Sequence, residues 1–365
     1  MTPLAIFPML IATAGPSQAL PAPYGLLTAL HWLTLLLHLL AMNLLVGFVL
    51  VMVLASRRTF LQPLAETAAR LLPVLLAATI TLGVAPLLFL QAVYGQFFYS
   101  ASIVSAWNWF LLIPVLIAAY YLCYALALRP APAGQTRWVP LVLVSLGLVY
   151  VSLTLTMVSD LAEKPHLWPA LYLSSPAGFS LNPDHWETLF RWAHSLAGAI
   201  AVAGIGVQLF ALYHPRFRSN RVLLDWGGKV FIVAAVKAAG LSLVYLWLID
   251  REVLVRFLGS PGLHAILTAI VLNIAAVILT LRARRVERCA PLVLGSAVLV
   301  ALSAGGMVIG RHFLRLVYLG QHFSPAGLEV APQWGPLAMF LVTFVIGGGV
   351  LAWMGRAFFA SPSSR

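Results

Sequence analysis

Residues 24 to 54, YGLLTALHWLTLLLHLLAMNLLVGFVLVMVL, contain no Asp, Glu, Lys or Arg, and they carry two imidazoles, His31 and His38. A helix rises 1.5 Å per residue, so this stretch exceeds the roughly 30 Å of bilayer hydrocarbon and predicts a transmembrane helix. A spacing of seven brings the two histidines back to nearly one helical face, about 10.5 Å apart along the axis.

Similar apolar runs follow along the chain. They lie near Arg70 to Val93, Ser105 to Leu128, Trp138 to Ser159, Glu187 to Tyr213, Gly228 to Ile249, Pro261 to Leu281, Ala290 to Gly310 and Gly335 to Met354. With the first they make about nine spans, so the expected fold class is all-α, a polytopic transmembrane helical bundle. Over the 365 residues 62% are hydrophobic and 9% charged, and the mean hydropathy is +0.97. Such a composition excludes a large solvated surface. The expected organisation is an outer-side apolar N-terminal segment (1–23), a nine-span domain (24–358) and a cytoplasmic tail (359–365).

The net charge of +12 is distributed as topology rather than as a nucleic-acid surface. Alternating the loops puts 15 of the 22 basic residues on one side, among them Arg57, Arg129, Arg216, Arg284 and Arg356. The other side mixes Lys164, Arg191, Arg311 and Arg315 with Asp160, Glu163, Asp184 and Glu187. Basic residues accumulate on the cytoplasmic side, so the N terminus is expected outside and the C terminus inside. The start of the chain lacks the basic flank of an export signal, and no transit segment is evident, which favours a bacterial inner membrane. Cys123 and Cys289 are the two cysteines, and no CxxCH attaches a c-type haem.

A neutral imidazole buried in apolar helix requires a hydrogen-bond partner or a metal, and it can ligate haem iron without desolvating a charge. His31 and His38 are therefore candidate haem ligands; packing or interhelical hydrogen bonding is the plainer alternative. His194, in Arg191-Trp-Ala-His-Ser-Leu-Ala-Gly198, lies about two turns into the fifth span from its outer end. The expected topology puts it at a depth comparable with His31, and its axial partner is either His31 or His38. Gly198, one turn further, permits close approach of a helix or a porphyrin.

The eighth span ends in Ser303-Ala-Gly-Gly-Met307-Val-Ile-Gly-Arg311-His312. Met307 is a candidate thioether ligand, although methionine in an apolar helix is more often simple packing. Arg311 can neutralise a haem propionate, with Arg315 one turn beyond. His312 reads as an axial ligand, a propionate contact, a quinol-site base or an interfacial histidine. Lys237 is the one formal charge well inside a span, where it must snorkel, pair or face a wet cavity. It fits a cofactor-binding role, and equally the alternative of a transporter with an intramembrane lysine site. A structural membrane anchor is the third reading.

Most histidines lie in the outer half, which suits exchange with a lipid-soluble quinol there. A quinol site needs acceptors as well as apolar walls. Gln96, Tyr99 and Asn108, among the aromatics of the second and third spans, are candidate quinone contacts. Asp160 and Glu163, with Glu187 and His312, are candidate proton acceptors. The aromatics also fit an interfacial belt. Pro86 is expected to disturb the second helix.

The His-bearing first helix, Trp192-Ala-His194 and the nine-span pattern resemble the large cytochrome subunit of bd-type quinol oxidases. More broadly they resemble membrane b-type cytochrome subunits of quinone-linked complexes. The resemblance covers the chain as a helix pattern and only short stretches as residues. It implies one or two b haems, with ligands at the first helix and at His194 and with Met307 as a later partner. It also implies quinol as electron donor and an outer-side cytochrome c or iron-sulfur subunit as partner. The chain lacks the family's long quinol-binding insertion, the acidic pair of an oxygen-reducing site and a GRQPW-like segment. Electron transfer to another protein is therefore expected in place of direct oxygen reduction.

Overall fold

The computed structural model describes residues 19–55, 59–128, 138–180, 185–218, 220–320 and 322–360. Outside them lie most of the expected N-terminal segment, residues 361–365 of the expected tail, and Arg57, Arg129 and Asp184 of the charge pattern. Among the described residues, nine helices are long and apolar enough to cross a membrane, so the chain is an all-α polytopic bundle.

The first span, α1 (Tyr24–Ala55), is the central helix. Around it stand α2 (Gln62–Val104), α5 (Trp138–Leu161), α7 (His185–Tyr213) and α11 (Ala290–Leu319). The short α3 (Ala106–Phe110) and the spanning α4 (Leu112–Leu128) pack beside α2 and α5. Two further pairs complete the wall: α8 (Arg221–Leu248) lies along α7, and α10 (Pro261–Ala283) lies along α11. At the end of the bundle where α1 begins, called outer after the orientation expected above, the loops add α6 (Trp168–Ser174) and α9 (Arg251–Leu258). The last span, α12 (Trp334–Ala360), stands apart, touching α2 through the Phe89 and Phe340 rings, 5.2 Å apart. At the outer end the chain before α1 is pinned to the chain before α12. Leu20 N–H donates to Glu329 O at 2.8 Å, and Ala331 N–H donates to Leu20 O at 2.9 Å.

Helix α2 departs from the expectation for its proline. Pro86 is buried within continuous helix, and the non-helical residue is Tyr94, at φ −122° and ψ 24°. A missing N–H removes one ladder bond, and neighbouring helices can absorb that loss inside a membrane bundle. At 43 residues α2 is about 65 Å long, twice the hydrocarbon thickness. The expected span ends at Val93, and the chain bends at the next residue.

Close approach of α1 to α7 is set by glycine. A Cβ on Gly47 would sit 2.0 Å from the Ala199 carbonyl oxygen, which belongs to backbone and cannot yield. On the other side of α7, a Cβ on Gly204 would meet Phe231 N of α8 at 2.5 Å. Gly47→Ala is therefore expected to destabilise the bundle by about 1–3 kcal/mol or more. Gly347→Ala in α12, with nothing within 4 Å, should leave the thermal midpoint in detergent unchanged or higher. Equal midpoints for the two variants would contradict this packing.

Candidate functional site

Three imidazoles in three places use one device. His31 Nδ1 donates to the Pro86 carbonyl at 3.0 Å, and His38 Nδ1 donates to the Thr79 carbonyl at 3.0 Å. His194 Nδ1 meets the Ala238 carbonyl of α8 at 3.0 Å and the Ser242 hydroxyl at 2.7 Å, while Ser242 Oγ also donates to Ala238 O. A carbonyl only accepts, so in each neutral ring the proton sits on Nδ1 and Nε2 keeps its lone pair. His31 and His38 are seven residues apart on α1, and their acceptors are seven apart on the antiparallel α2. The two rings therefore share a face. Gly83 makes room for the second of them, because a Cβ there would lie 2.8 Å from His38 Cε1.

His194 turns toward α8, away from α2, so the three histidines do not form one cluster. Among the described residues no group of three or more His, Cys, Asp or Glu could hold a metal ion. Depth also differs from the sequence expectation. Gly47 is level with Ala199 and Ala203 where α1 and α7 touch. Counting outward from that contact sets His194 within about 6 Å of His38's depth, with His31 at least about 10 Å further out. His38, rather than His31, is the α1 histidine at the level of His194.

Space accompanies these rings. Although α1 is central, Leu35 to Leu44 are all partly exposed, whereas Leu45 to Val49 are buried. Gly198, one turn beyond His194, has nothing within 4 Å of where a Cβ would stand. Met307 is partly buried on α11, one turn deeper than Arg311.

At the outer end, α5, α7 and α11 meet in a buried ionic cluster. Asp160 accepts from Arg191 Nη1 at 2.9 Å and from Thr188 Oγ1 at 2.5 Å. Lys164 Nζ donates to Glu187 at 2.7 Å, and Tyr318 OH donates to the other Glu187 oxygen at 2.7 Å. Glu163 accepts from Arg311 Nη2 and, at 3.1 Å, from Arg315 Nε. Asp160 and Glu163 are each 1% exposed. Such charges survive away from water only because each is paired and hydrogen-bonded.

Beside this cluster, four buried polar atoms lack partners among the described residues: Trp32 Nε1, Tyr245 OH, Arg311 Nη1 and His312 Nδ1. They lie on α1, α8 and α11. The Trp32 and His312 rings are 5.2 Å apart, and His312 Nε2 lies 3.4 Å from the Tyr24 hydroxyl.

The other nominated residues are scattered. Gln96 and Tyr99 are exposed on the outward face of α2. Asn108 Nδ2 donates to Ser180 O at 3.4 Å, and its carbonyl accepts from Tyr150 OH at 3.0 Å. Asp160 and Glu163 are already held by cations. Lys237 is exposed on the outside of α8. A cleft of 220 Å³ between Phe60, Pro63, Phe217 and Val222 carries one polar side chain, Asn220, which already caps α8, and it contains none of these groups.

These features define a polytopic helical membrane protein with a polar outer end and three oriented imidazoles. No protein-family model, curated protein or solved structure matches the chain. Sequence reasoning missed Trp32, Tyr24, Tyr245 and Tyr318 as parts of the site. The available signal was a tyrosine or tryptophan beside a histidine or arginine near a span end, a pattern that interfacial anchors share.

Proposed function

We propose that the chain is an integral-membrane b-type cytochrome subunit that exchanges electrons between a quinol or quinone and an outer-side redox partner. One observation carries the reading: His31, His38 and His194 each spend Nδ1 on a neighbouring helix's carbonyl and keep Nε2 as a lone-pair donor. Anchoring Nδ1 fixes the tautomer and the ring plane, which is how ligating histidines are commonly oriented. The room around Leu35 to Leu44 and beside Gly198 supports the fit of a flat macrocycle.

When bound, a b haem supplies a one-electron carrier whose potential its ligands and surroundings tune. His31 and His38 serve the α1–α2 side, and His194 serves the α7–α8 side, which accommodates one or two groups. Met307 remains the candidate second ligand from α11, while His312, its Nε2 beside the Tyr24 hydroxyl, is left for the quinone side. Arg311, its Nη1 unpartnered, is the candidate contact for a propionate, and Lys237, on the outside of the bundle, is the weaker one. The outer face, with the longer loops, is the place for a cytochrome c or iron-sulfur partner. The membrane is the bacterial inner membrane, with the N terminus outside.

The test is the visible spectrum of the full chain purified with ample haem supply. Reduced-minus-oxidised b-type bands and a haem content of one or two per chain are expected. A folded, monodisperse and colourless protein overturns the reading.

A further inference from the structure

Trp32 on α1 and His312 on α11 face each other edge to face, with ring centroids 5.2 Å apart and an interplanar angle of 75°. The indole Nε1 and His312 Nδ1 are both sealed from solvent, and neither has a hydrogen-bond partner among the described residues. His312 as a whole is 5% exposed. Buried polar atoms in native proteins are almost always paired, so this adjacent couple calls for a bridging group.

The chemistry of that group follows from the two atoms. An indole N–H only donates, whereas an imidazole nitrogen donates or accepts according to its tautomer. On its far side, His312 Nε2 lies 3.4 Å from Tyr24 OH, which is 3.2 Å from Tyr94 OH. With Nε2–H donating to Tyr24, Nδ1 becomes an acceptor. Trp32 and His312 then present one donor and one acceptor, the complement of a hydroxyl oxygen. The surroundings are aromatic: the Phe313 and Tyr24 ring centroids lie 5.4 Å and 6.4 Å from that of His312.

We infer that Trp32 and His312 form the head-group site of a quinol, one ring hydroxyl of which bridges Trp32 Nε1 and His312 Nδ1. The inference rests on the quinone-linked reading above and gives it a location, distinct from Gln96, Tyr99 and Asn108. The same site also accepts the oxidised form. A quinone carbonyl only accepts, and it is satisfied when Nδ1 carries the proton and the Tyr24 hydroxyl turns to donate to Nε2. Tyr24 and Tyr94 can each donate or accept, so the chain Tyr94–Tyr24–His312 serves both oxidation states by reversing direction. Tyr24 is partly exposed at the outer start of α1, where that chain reaches the surface.

The test uses the full chain in lipid nanodiscs, with flow dialysis of menadione and, anaerobically, of menadiol. Wild type, Trp32→Phe and His312→Phe are compared, and the visible spectrum is recorded on the same samples. Each substitution is expected to weaken binding of both probes about tenfold, the loss of one hydrogen bond. Trp32→Phe should stay folded, because the indole N–H has no partner among the described residues to lose and a phenyl ring keeps an aromatic edge against His312; this variant decides the matter if His312→Phe folds poorly. Equal affinity in wild type and Trp32→Phe, or no saturable binding to wild type, overturns the site and makes the bridging group a water. That result leaves a pigmented protein's haem reading intact. Conversely, a colourless wild type whose menadiol binding still depends on Trp32 and His312 overturns the haem reading and keeps the site.

Discussion

Replacing His194 with alanine is expected to remove one haem's worth of visible absorbance from the purified chain while the bundle stays folded. The expectation follows from what the side chain does in the folded protein. Its Nδ1 is held by the Ala238 carbonyl and Ser242, so only Nε2 is available for iron, and the ring is partly exposed. Alanine deletes the ligand and leaves Ala238 O bonded within its own helix and to Ser242. Ser242→Ala removes part of the anchor without touching the ligand and should weaken haem retention about 10–100-fold, the usual cost of losing a ligand's hydrogen-bond partner. His38→Ala and His31→Ala test the α1–α2 side in the same way. Full pigment in all three histidine variants would sink the assignment, because no other anchored imidazole remains on these faces.

Glu163→Gln is expected to destabilise the protein by about 3–5 kcal/mol, the largest single-site effect on stability outside the helix crossings. Glu163 is 1% exposed and binds two guanidinium groups, Arg311 and Arg315, with Arg191 at 3.7 Å. Neutralising it leaves Arg311 and Arg315, whose side chains are 23% and 11% exposed, without their carboxylate partner. A surface pair supplies the control: Glu66 and Arg216, 3.0 Å apart, are 54% and 41% exposed. Screening and side-chain entropy hold such pairs to about 0–1 kcal/mol, so Glu66→Gln should barely shift the thermal midpoint. Equal shifts for the two variants would mean that the outer cluster is hydrated rather than buried.

The two results bear on different parts of the molecule. Haem retention reads the middle of α1 and α7, and thermal stability reads the outer junction of α5, α7 and α11. A Glu163→Gln protein that melts early yet keeps its spectrum would show that the outer cluster braces the bundle without holding the macrocycle.

Much of this was legible in one dimension. The nine spans follow from apolar run length, because a backbone in hydrocarbon must satisfy its own hydrogen bonds and only an uninterrupted helix does so. The shared face of His31 and His38 follows from helical period alone. Less legible was what each face meets. Pro86 is expected to disturb α2, yet the helix runs through it and the bend falls at Tyr94. Proline removes one donor, and packed neighbours decide whether that becomes a kink.

The sequence determined the class of the fold, its number of crossings and the rows of residues along each helix, since these are local consequences of hydropathy and helical geometry. It did not determine register between helices. Gly47 against Ala199 sets His194 level with His38 instead of His31, and no periodicity within either helix contains that offset. Nor did it join Asp160 to Arg191, Glu163 to Arg311 and Arg315, or Trp32 to His312, residues up to 280 positions apart. Those partnerships exist only once helix packing has closed the bundle and removed water from its outer end, which is what makes an unpaired indole or imidazole there costly.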